Sequence, residues 1–193
     1  TAKEKSLEMI KKVEIDRAED VYNSYPHELS GGMRQRIMIA MALSSSPKLL
    51  IADEPTTALD VTIQKEVLEL MKKLKEDMDT AIIFISHDLA VVSDIADYVN
   101  VMYAGRVVER GRAEDIFKNP LHPYTKGLIK SIPSAHMKKE ELYTIKGSVP
   151  NPIGLAERCN FCDRCEYKMD ICEKKVPPEI DIDGHKVSCF LYR

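Results

Sequence analysis

The chain has 193 residues, of which 44% are hydrophobic and 31% are charged, and its formal net charge is −3. These values are typical of one globular domain with room for a small appendage, and the slight acidity gives no electrostatic basis for binding nucleic acid or a membrane surface. No apolar run in the sequence approaches the ~20 residues that span a bilayer, so any association with a membrane is expected to come through partner proteins.

Residues 1–28 have weak helical patterns. Leu7, Ile10 and Val13 recur at helical spacing among lysines and glutamates, as in an amphipathic helix. Pro26 ends a second helical stretch, because the residue before a proline avoids the α conformation. We therefore predict short helices that end before residue 29.

A helix with an anion-binding end is predicted next. Ser30 is a suitable N-cap, and Gly31 and Gly32 open an apolar-periodic run that continues to Met41. Glycines in the first turn leave the backbone N–H groups open to a phosphate, and a helix N-terminus attracts anions through those donors and its dipole. Taken alone, the same pattern is that of an ordinary helix cap.

Two carboxylates follow a predicted buried strand. Residues 49–52 are a short apolar run, and Asp53 and Glu54 stand at its end. Open α/β sheets bind ligands at the carboxyl ends of their parallel strands, so this edge is a candidate site for a metal-bound phosphate. Without further motifs, an acidic pair at this place would be read as a solvated turn.

Helices and strands alternate after Asp60. The apolar patterns predict, in order, a helix over 61–78, a strand over 81–85 that leads to His87, a helix over 89–96, a hairpin of strands over 99–103 and 106–109, and helices near 113–117 and 124–131. The order strand–helix–strand–helix–strand predicts an α/β fold, a parallel sheet with flanking helices.

The last part of the chain has a different character. From Pro133 onward, prolines, glycines and cysteines interrupt every periodic pattern. A tail of this length cannot build its own core, so it needs a stabilising cross-link such as a bound metal. We place a boundary near Ser134, which divides the chain into residues 1–28, 29–133 and 134–193. The crowded cysteines favour a local site in a reducing compartment over a disulfide framework.

Four phrases make the chain similar to the ATP-binding subunits of ABC transporters. LSGGM (residues 29–33) resembles the signature loop, LLIADEP (49–55) the Walker B strand, TALD (57–60) the D-loop and ISHD (85–88) the switch histidine. The resemblance implies the second half of a RecA-like ABC ATPase domain with a small Cys-rich C-terminal appendage. A fifth phrase, NPLHPYT (119–125), resembles the branch that imports dipeptides and oligopeptides and, in some relatives, nickel.

The resemblance implies catalytic roles for three residues at the strand ends. Asp53 would hold Mg²⁺ through water, and Glu54 would orient or deprotonate the water that attacks the γ-phosphate of ATP. His87 would reach the γ-phosphate and report its presence.

A second set of residues is implied at the subunit interface. Ser30, Gly31 and Gly32 would complete the ATP site of a second ABC ATPase subunit, identical or homologous, and Gln35 would support them. Asp60 would face that subunit, and it is also a suitable N-cap for the next helix.

The expected partners follow from the same resemblance. They are the second ATPase subunit, the membrane-spanning permease subunits and, indirectly, an extracytoplasmic peptide-binding protein, with the chain held peripherally at the cytoplasmic face of the membrane. The sequence contains no G-x-x-x-x-G-K-[ST] loop to cradle the phosphates. We therefore expect it to be the C-terminal part of a longer subunit and to be inactive alone.

The cysteines predict a metal site. Their spacing, Cys159-x2-Cys162-x2-Cys165-x6-Cys172-x16-Cys189, lacks the two separate C-x-x-C pairs that zinc favours, whereas iron–sulfur clusters accept more varied spacings. The resemblance implies a C-x5-C-x6-C-x16-C pattern, with Cys159, Cys165, Cys172 and Cys189 binding a [4Fe–4S] cluster. Zinc stays the second choice, and a non-catalytic iron–sulfur or zinc-binding module for regulation or assembly is the rival function.

Overall fold

The computed structural model describes residues 1–57, 59–132, 143–151 and 153–193. These residues form two compact units, Thr1–His87 and Asp88–Arg193. Ala58 of the TALD phrase and the predicted boundary near Ser134 lie outside the described residues, so the three-part division of the chain stays a prediction.

The first unit contains four α-helices, whose bounds agree with the apolar patterns. They are α1 (Ala2–Lys12), α2 (Ala18–Asn23), α3 (Gly31–Leu43) and α4 (Val61–Met78). Asp60 caps α4 by accepting a hydrogen bond from the backbone N–H of Ile63, and Asp79 ends it in the left-handed conformation. The core-facing side of α4 buries Val67, Leu68, Leu70, Met71 and Leu74.

Two parallel strands complete the first unit. Strand β1 (Leu49–Asp53) pairs with β2 (Ala81–Ile85), and the register sets Asp53 opposite Ile85. The predicted strands and their parallel pairing are confirmed. Their predicted burial is wrong, since Leu49, Ile51, Ile83 and Ile85 are 47–62% exposed and only Ala52 is buried. Because both strands end at the same level, Glu54 and His87 leave the sheet from one edge.

The second unit is built on an antiparallel sheet. Its elements are α5 (Leu89–Ile95), β3 (Tyr98–Tyr103), β4 (Arg106–Arg112), α6 (Ala113–Lys118), α7 (Pro123–Lys130), β5 (Glu179–Ile182) and β6 (His185–Ser188). The strand order is β3–β4–β6–β5, and every neighbouring pair is antiparallel.

The third predicted strand departs from the expected parallel sheet. Residues 98–103 pair with β4 as the predicted hairpin instead of joining β1 and β2. The reason is local, since the two-residue turn of Ala104 and Gly105 has positive φ at both positions, 45° and 78°. Turns of that geometry match the twist of a two-stranded ribbon.

The Cys-rich tail contributes to the core of the second unit. Phe161 is 3% exposed and packs with Val99, Val101, Tyr103, Val108 and Ile116. Its ring meets that of Tyr103 edge-on at 5.2 Å between centroids, an arrangement that aromatic pairs prefer. The hairpin of β5 and β6, which the sequence patterns missed, extends the sheet next to β4. Among the described helices, none has the length and apolarity that crossing a bilayer requires.

Candidate functional site

A Glu–His pair lies at the carboxyl ends of the two parallel strands. The backbone N–H of Glu54 donates to the carbonyl of Ile85 at 2.9 Å, which joins the two strand ends. Oε1 of Glu54 lies 2.8 Å from Nδ1 of His87. Two residues that are 33 positions apart are thus brought together, as expected for neighbouring parallel strands.

The other oxygen of Glu54 also has a partner. The hydroxyl of Thr57 donates to Oε2 at 2.7 Å. The hydrogen bond from Thr57, followed by the one from His87, lowers the pKa of Glu54 below its ordinary value, because both interactions favour the charged form. The lowered pKa keeps Glu54 ionised and so able to accept a proton, and it makes Glu54 a weaker base than an unperturbed glutamate.

Asp53 is the last residue of β1, directly before Glu54, and its side chain is exposed. Carboxylate oxygens are the ligands that Mg²⁺ prefers, usually with several waters retained. An exposed carboxylate beside Glu54 and at the edge where ligands bind in such sheets fits that metal.

The structure places the signature residues at the start of α3. Ser30 is the N-cap and its hydroxyl accepts from the backbone N–H of Met33 at 3.2 Å, as predicted. A Cβ on Gly32 would lie 2.7 Å from Cγ2 of Ile63 in α4, closer than real side chains approach. The glycine therefore has a packing role beside the phosphate-binding role predicted for it, and the sequence pattern did not reveal this.

Asp60 and Gln35 are the other two residues that were predicted to lie at the subunit interface. Asp60 is confirmed as the N-cap of α4, while its role toward a second subunit stays a prediction. Gln35 is on α3 and is half-exposed, and its supporting role also stays a prediction.

A second Glu–His pair was not predicted from the sequence. Glu109 of β4 is 1% exposed and accepts hydrogen bonds from the backbone N–H groups of Leu121 (2.6 Å) and His122 (2.9 Å). Its Oε1 also lies 2.7 Å from Nε2 of His185 in β6. No sequence signal marks Glu109, because a carboxylate in a strand is read as an outward-facing residue.

These contacts give residues of the NPLHPYT phrase (119–125) a structural role. His122 is the N-cap of α7, and its Nδ1 accepts from the backbone N–H of Tyr124 at 3.0 Å. Burial, with a smaller contribution from the charge of Lys126, lowers the pKa of His122 to about 4. His122 therefore has a structural role, since its ring is held neutral inside the protein at pH 7.

The five cysteines are free thiols near one another. Cys162, Cys172 and Cys189 are buried, and Cys159 and Cys165 are half-buried. The backbone N–H of Cys159 donates to the carbonyl of Cys172 at 3.1 Å. Cys159 also packs against Cys162 and Cys172 in a small cluster with Phe190.

Electrostatics shows which thiols are neighbours. Burial first, and the thiols of Cys172, Cys162 and Cys165 as well, raise the pKa of Cys159 to about 11. The pKa of Cys165 is raised by burial and by Cys189, Cys172 and Cys162, and that of Cys189 by burial and by Cys159 and Cys172. All pairs among Cys159, Cys165, Cys172 and Cys189 therefore interact.

The thiols lie near one another, but they are not arranged around a metal-binding position. Within the described ranges, no group of three or more histidine, cysteine or carboxylate side chains is arranged to hold a metal ion. Cysteine binds a metal ion as the thiolate, so each thiol would have to lose its proton on binding.

Comparison with known proteins agrees with the motifs. Residues 1–57 match the model of a family described as ABC transporter, and residues 108–172 match the one described as Oligopeptide/dipeptide transporter, C-terminal region. The second range contains the NPLHPYT phrase and four of the cysteines.

Three curated relatives are similar along almost the whole chain. Oligopeptide transport ATP-binding protein AppD of Bacillus subtilis is 54% identical over 192 residues, which are 99% of this chain and 58% of that protein. The OppD protein of the same species is 50% identical over 98% of this chain and 54% of its own length. OppD of Salmonella typhimurium is 49% identical, over 97% and 56%. The chain thus spans a little over half the length of these relatives.

A solved structure shows the same fold. The ADP conformation of an ATP-binding cassette of an ABC transporter superimposes with a TM-score of 0.53 and 24% identity, covering 61% of this chain and 46% of the other. On the two family matches and the relatives, this chain belongs to the family of oligopeptide and dipeptide ABC transporter ATP-binding subunits.

Proposed function

We propose that the chain supplies part of the ATP-hydrolysing, energy-coupling subunit of an importer for oligopeptides or dipeptides. The observation that carries the proposal is the Glu54–His87 contact at the carboxyl ends of two parallel strands. The printed names of the relatives, which describe oligopeptide transport ATP-binding proteins, support the substrate class.

The proposed mechanism divides the work among the strand-end residues. Asp53 would bind Mg²⁺ on the nucleotide, and that ion would neutralise charge on the phosphates. Glu54, kept ionised by its two hydrogen bonds, would accept a proton from the attacking water or orient it. His87 would leave Glu54 for the γ-phosphate.

The signature residues would act on a second subunit. The N-terminus of α3, with Ser30, Gly31 and Gly32, would contact the γ-phosphate bound by the partner ATPase, and Gln35 and Asp60 would lie at that interface. Permease subunits would hold the pair at the cytoplasmic face of the membrane, and a peptide-binding protein would act through them. The scope of the substrate, peptide or nickel, would be set by those partners.

The test is Glu54→Gln in the complete ATP-binding subunit, assembled with its transporter. Gln keeps the size of Glu54 and cannot accept the proton, so ATP hydrolysis should fall about 10²- to 10⁴-fold while Mg-ATP still binds. Glu114→Gln, an exposed carboxylate in a different unit, is the matched control. Unchanged hydrolysis in Glu54→Gln would remove Glu54 from the role proposed for it, and absence of hydrolysis in the native complete subunit would favour the rival, non-catalytic module.

A second proposal concerns the tail, and the mutual proximity of four thiols supports it. Cys159, Cys165, Cys172 and Cys189 would bind a [4Fe–4S] cluster, which would staple the tail to the second unit. Four thiolates are the usual ligand set for such a cluster. Cys162, which is 1% exposed and contacts Asp163, would stay outside the set.

Metal analysis of anaerobically purified protein tests this proposal. Iron and acid-labile sulfide are expected in the native chain and in Cys162→Ser, and both should be lost in Cys189→Ser. Stoichiometric zinc without sulfide would establish the zinc alternative, and loss of iron in Cys162→Ser would overturn the ligand set.

A further inference from the structure

In the described part of the chain, Glu54 has a side-chain partner that is local in sequence, Thr57. Its hydroxyl donates to Oε2 at 2.7 Å, while the more distant His87 lies 2.8 Å from Oε1. Each oxygen of the carboxylate therefore has its own partner, and the two partners come from different parts of the chain.

The backbone fixes the position of Thr57. The carbonyl of Glu54 accepts from the N–H of Thr57 at 3.1 Å, closing a turn, and the N–H of Glu54 is held by Ile85. Glu54 has a φ of 45°, a left-handed conformation that a residue other than glycine adopts at a cost. This tight turn keeps the hydroxyl of Thr57 within hydrogen-bonding reach of the Glu54 carboxylate even when residues outside the turn move.

The two contacts differ in how easily they can be broken. Both contacts are exposed to water, and the His87 contact joins the ends of two separate strands, so it is lost at little cost when His87 moves. The Thr57 contact spans three residues of one turn and requires no other element to stay in place. When His87 leaves, Oε1 is released and Oε2 remains held.

We infer that Thr57 is a positioning residue for ATP hydrolysis, which holds Oε2 of Glu54 so that Oε1 is directed at the attacking water. The inference rests on the proposed function, because it assigns the free oxygen to the water that Glu54 activates. Thr57 itself touches neither nucleotide nor water in this scheme. Its effect is to limit rotation of the carboxylate, and orientation of a reacting group contributes strongly to rate.

The test compares Thr57→Val with Thr57→Ser in the complete subunit. Val keeps the branched shape and removes the hydroxyl, so kcat should fall about 10- to 100-fold, the cost of a misplaced group, with KM for ATP within about twofold. Ser keeps the hydroxyl and should retain most of kcat. Thr144→Val, which removes an exposed hydroxyl in the other unit, should have no effect.

A double variant separates positioning from a general effect on structure. In the Glu54→Gln background, Thr57→Val should cause little further loss, because the hydroxyl acts through the carboxylate. Unchanged kcat in Thr57→Val, equal losses in the Val and Ser variants, or a change in KM alone would overturn the inference. Unchanged hydrolysis in Glu54→Gln would remove Glu54 from the proposed mechanism and the inference with it, whereas unchanged kcat in Thr57→Val alone would overturn only the inference.

Discussion

The part of the chain that the structure describes contains two Glu–His pairs with nearly the same separation and opposite surroundings. Glu54 and His87 lie 2.8 Å apart with side chains that are 41% and 76% exposed. Glu109 and His185 lie 2.7 Å apart with side chains that are 0% and 9% exposed. The same functional groups at nearly the same distance therefore differ in their access to water, and we expect that difference to decide what each pair does.

The exposed pair is suited to chemistry. Water screens the attraction between exposed groups, so the contact can be exchanged for another one at small cost. An active-site base that must release its partner when substrate arrives requires that property. Stability is not what this pair provides.

The buried pair is suited to assembly. Glu109 receives donors from the NPLHPYT phrase and from β6 of the tail, so one carboxylate joins three segments of the second unit. The ring of His185 lies over Gly111, where a Cβ would come within 3.1 Å of its Cδ2. Separating these groups inside the protein would leave buried polar atoms unsatisfied, which is costly.

The largest expected effect comes from breaking the buried pair. Glu109→Ala removes the acceptor of three hydrogen bonds, and the free energy of unfolding of the second unit should fall by about 3–5 kcal/mol. Urea unfolding followed by circular dichroism measures it, since the chain has no tryptophan. Glu114→Ala, which breaks an exposed helical ion pair with Lys118, is the control and should change stability by about 0.5 kcal/mol or less. Equal losses of stability in Glu109→Ala and Glu114→Ala would contradict the distinction between buried and exposed carboxylates.

The next effect is a pH dependence of the same region. The pKa of His122 is about 4 in the folded protein because of burial, against an ordinary value of 6.5. Between these values the unfolded state binds more protons, so the free energy of unfolding should rise with pH by about 3 kcal/mol from pH 4 to 6.5.

His122→Asn isolates this contribution. The side-chain oxygen of Asn can still accept from the N–H of Tyr124, as a cap does, and it does not titrate. In unfolding curves measured at several pH values, the variant should lose most of the rise in the free energy of unfolding. His27→Asn, which replaces an exposed histidine, is the control. An unchanged pH dependence in His122→Asn would show that His122 is not buried as a neutral ring.

A smaller effect is expected from the histidine side of the buried pair. His185→Leu keeps the buried volume and removes one of the donors to Glu109, whose backbone donors remain. The free energy of unfolding should fall by about 1–3 kcal/mol, the range for an unsatisfied buried group. A loss as large as that of Glu109→Ala would mean that His185, and not the carboxylate, organises the region.

The smallest effect is predicted for the stability of the exposed pair. His87→Ala and Glu54→Gln should unfold at the same urea concentration as the native chain, because water replaces the lost contact. The same Glu54→Gln substitution is the one expected to abolish hydrolysis in the complete subunit. A clear loss of stability in either variant would assign this pair a structural role and remove the contrast with Glu109.

Local patterns were sufficient for much of the fold. The apolar periodicity of residues 61–78 predicted α4, because that pattern is set by the face that a helix buries. The short apolar runs at 49–52 and 81–85 predicted β1 and β2 through their length, although these strands are largely exposed. Ser30 and Asp60 were predicted as caps, since a cap depends on residues at most three positions away.

Other features depend on residues that are distant in sequence. The placement of β3 in an antiparallel sheet and the addition of the β5–β6 hairpin to β4 follow from which edges meet, and no local period encodes that choice. Gly32 was predicted to admit a phosphate, and only its proximity to Ile63 revealed the packing requirement.

The sequence by itself determined the chemistry available at the strand ends and in the tail: carboxylates after an apolar strand, a histidine after the next one, and cysteines at fixed intervals. Tertiary structure decided that Glu109 is a buried anchor, and that Glu54, the candidate base already chosen from the sequence, stays open to water. Glu54 and Glu109 are the same residue type, each near the end of an apolar run. They differ because the surrounding elements leave one open to water and enclose the other among hydrogen-bond donors, and the cost of moving a charge depends on that environment.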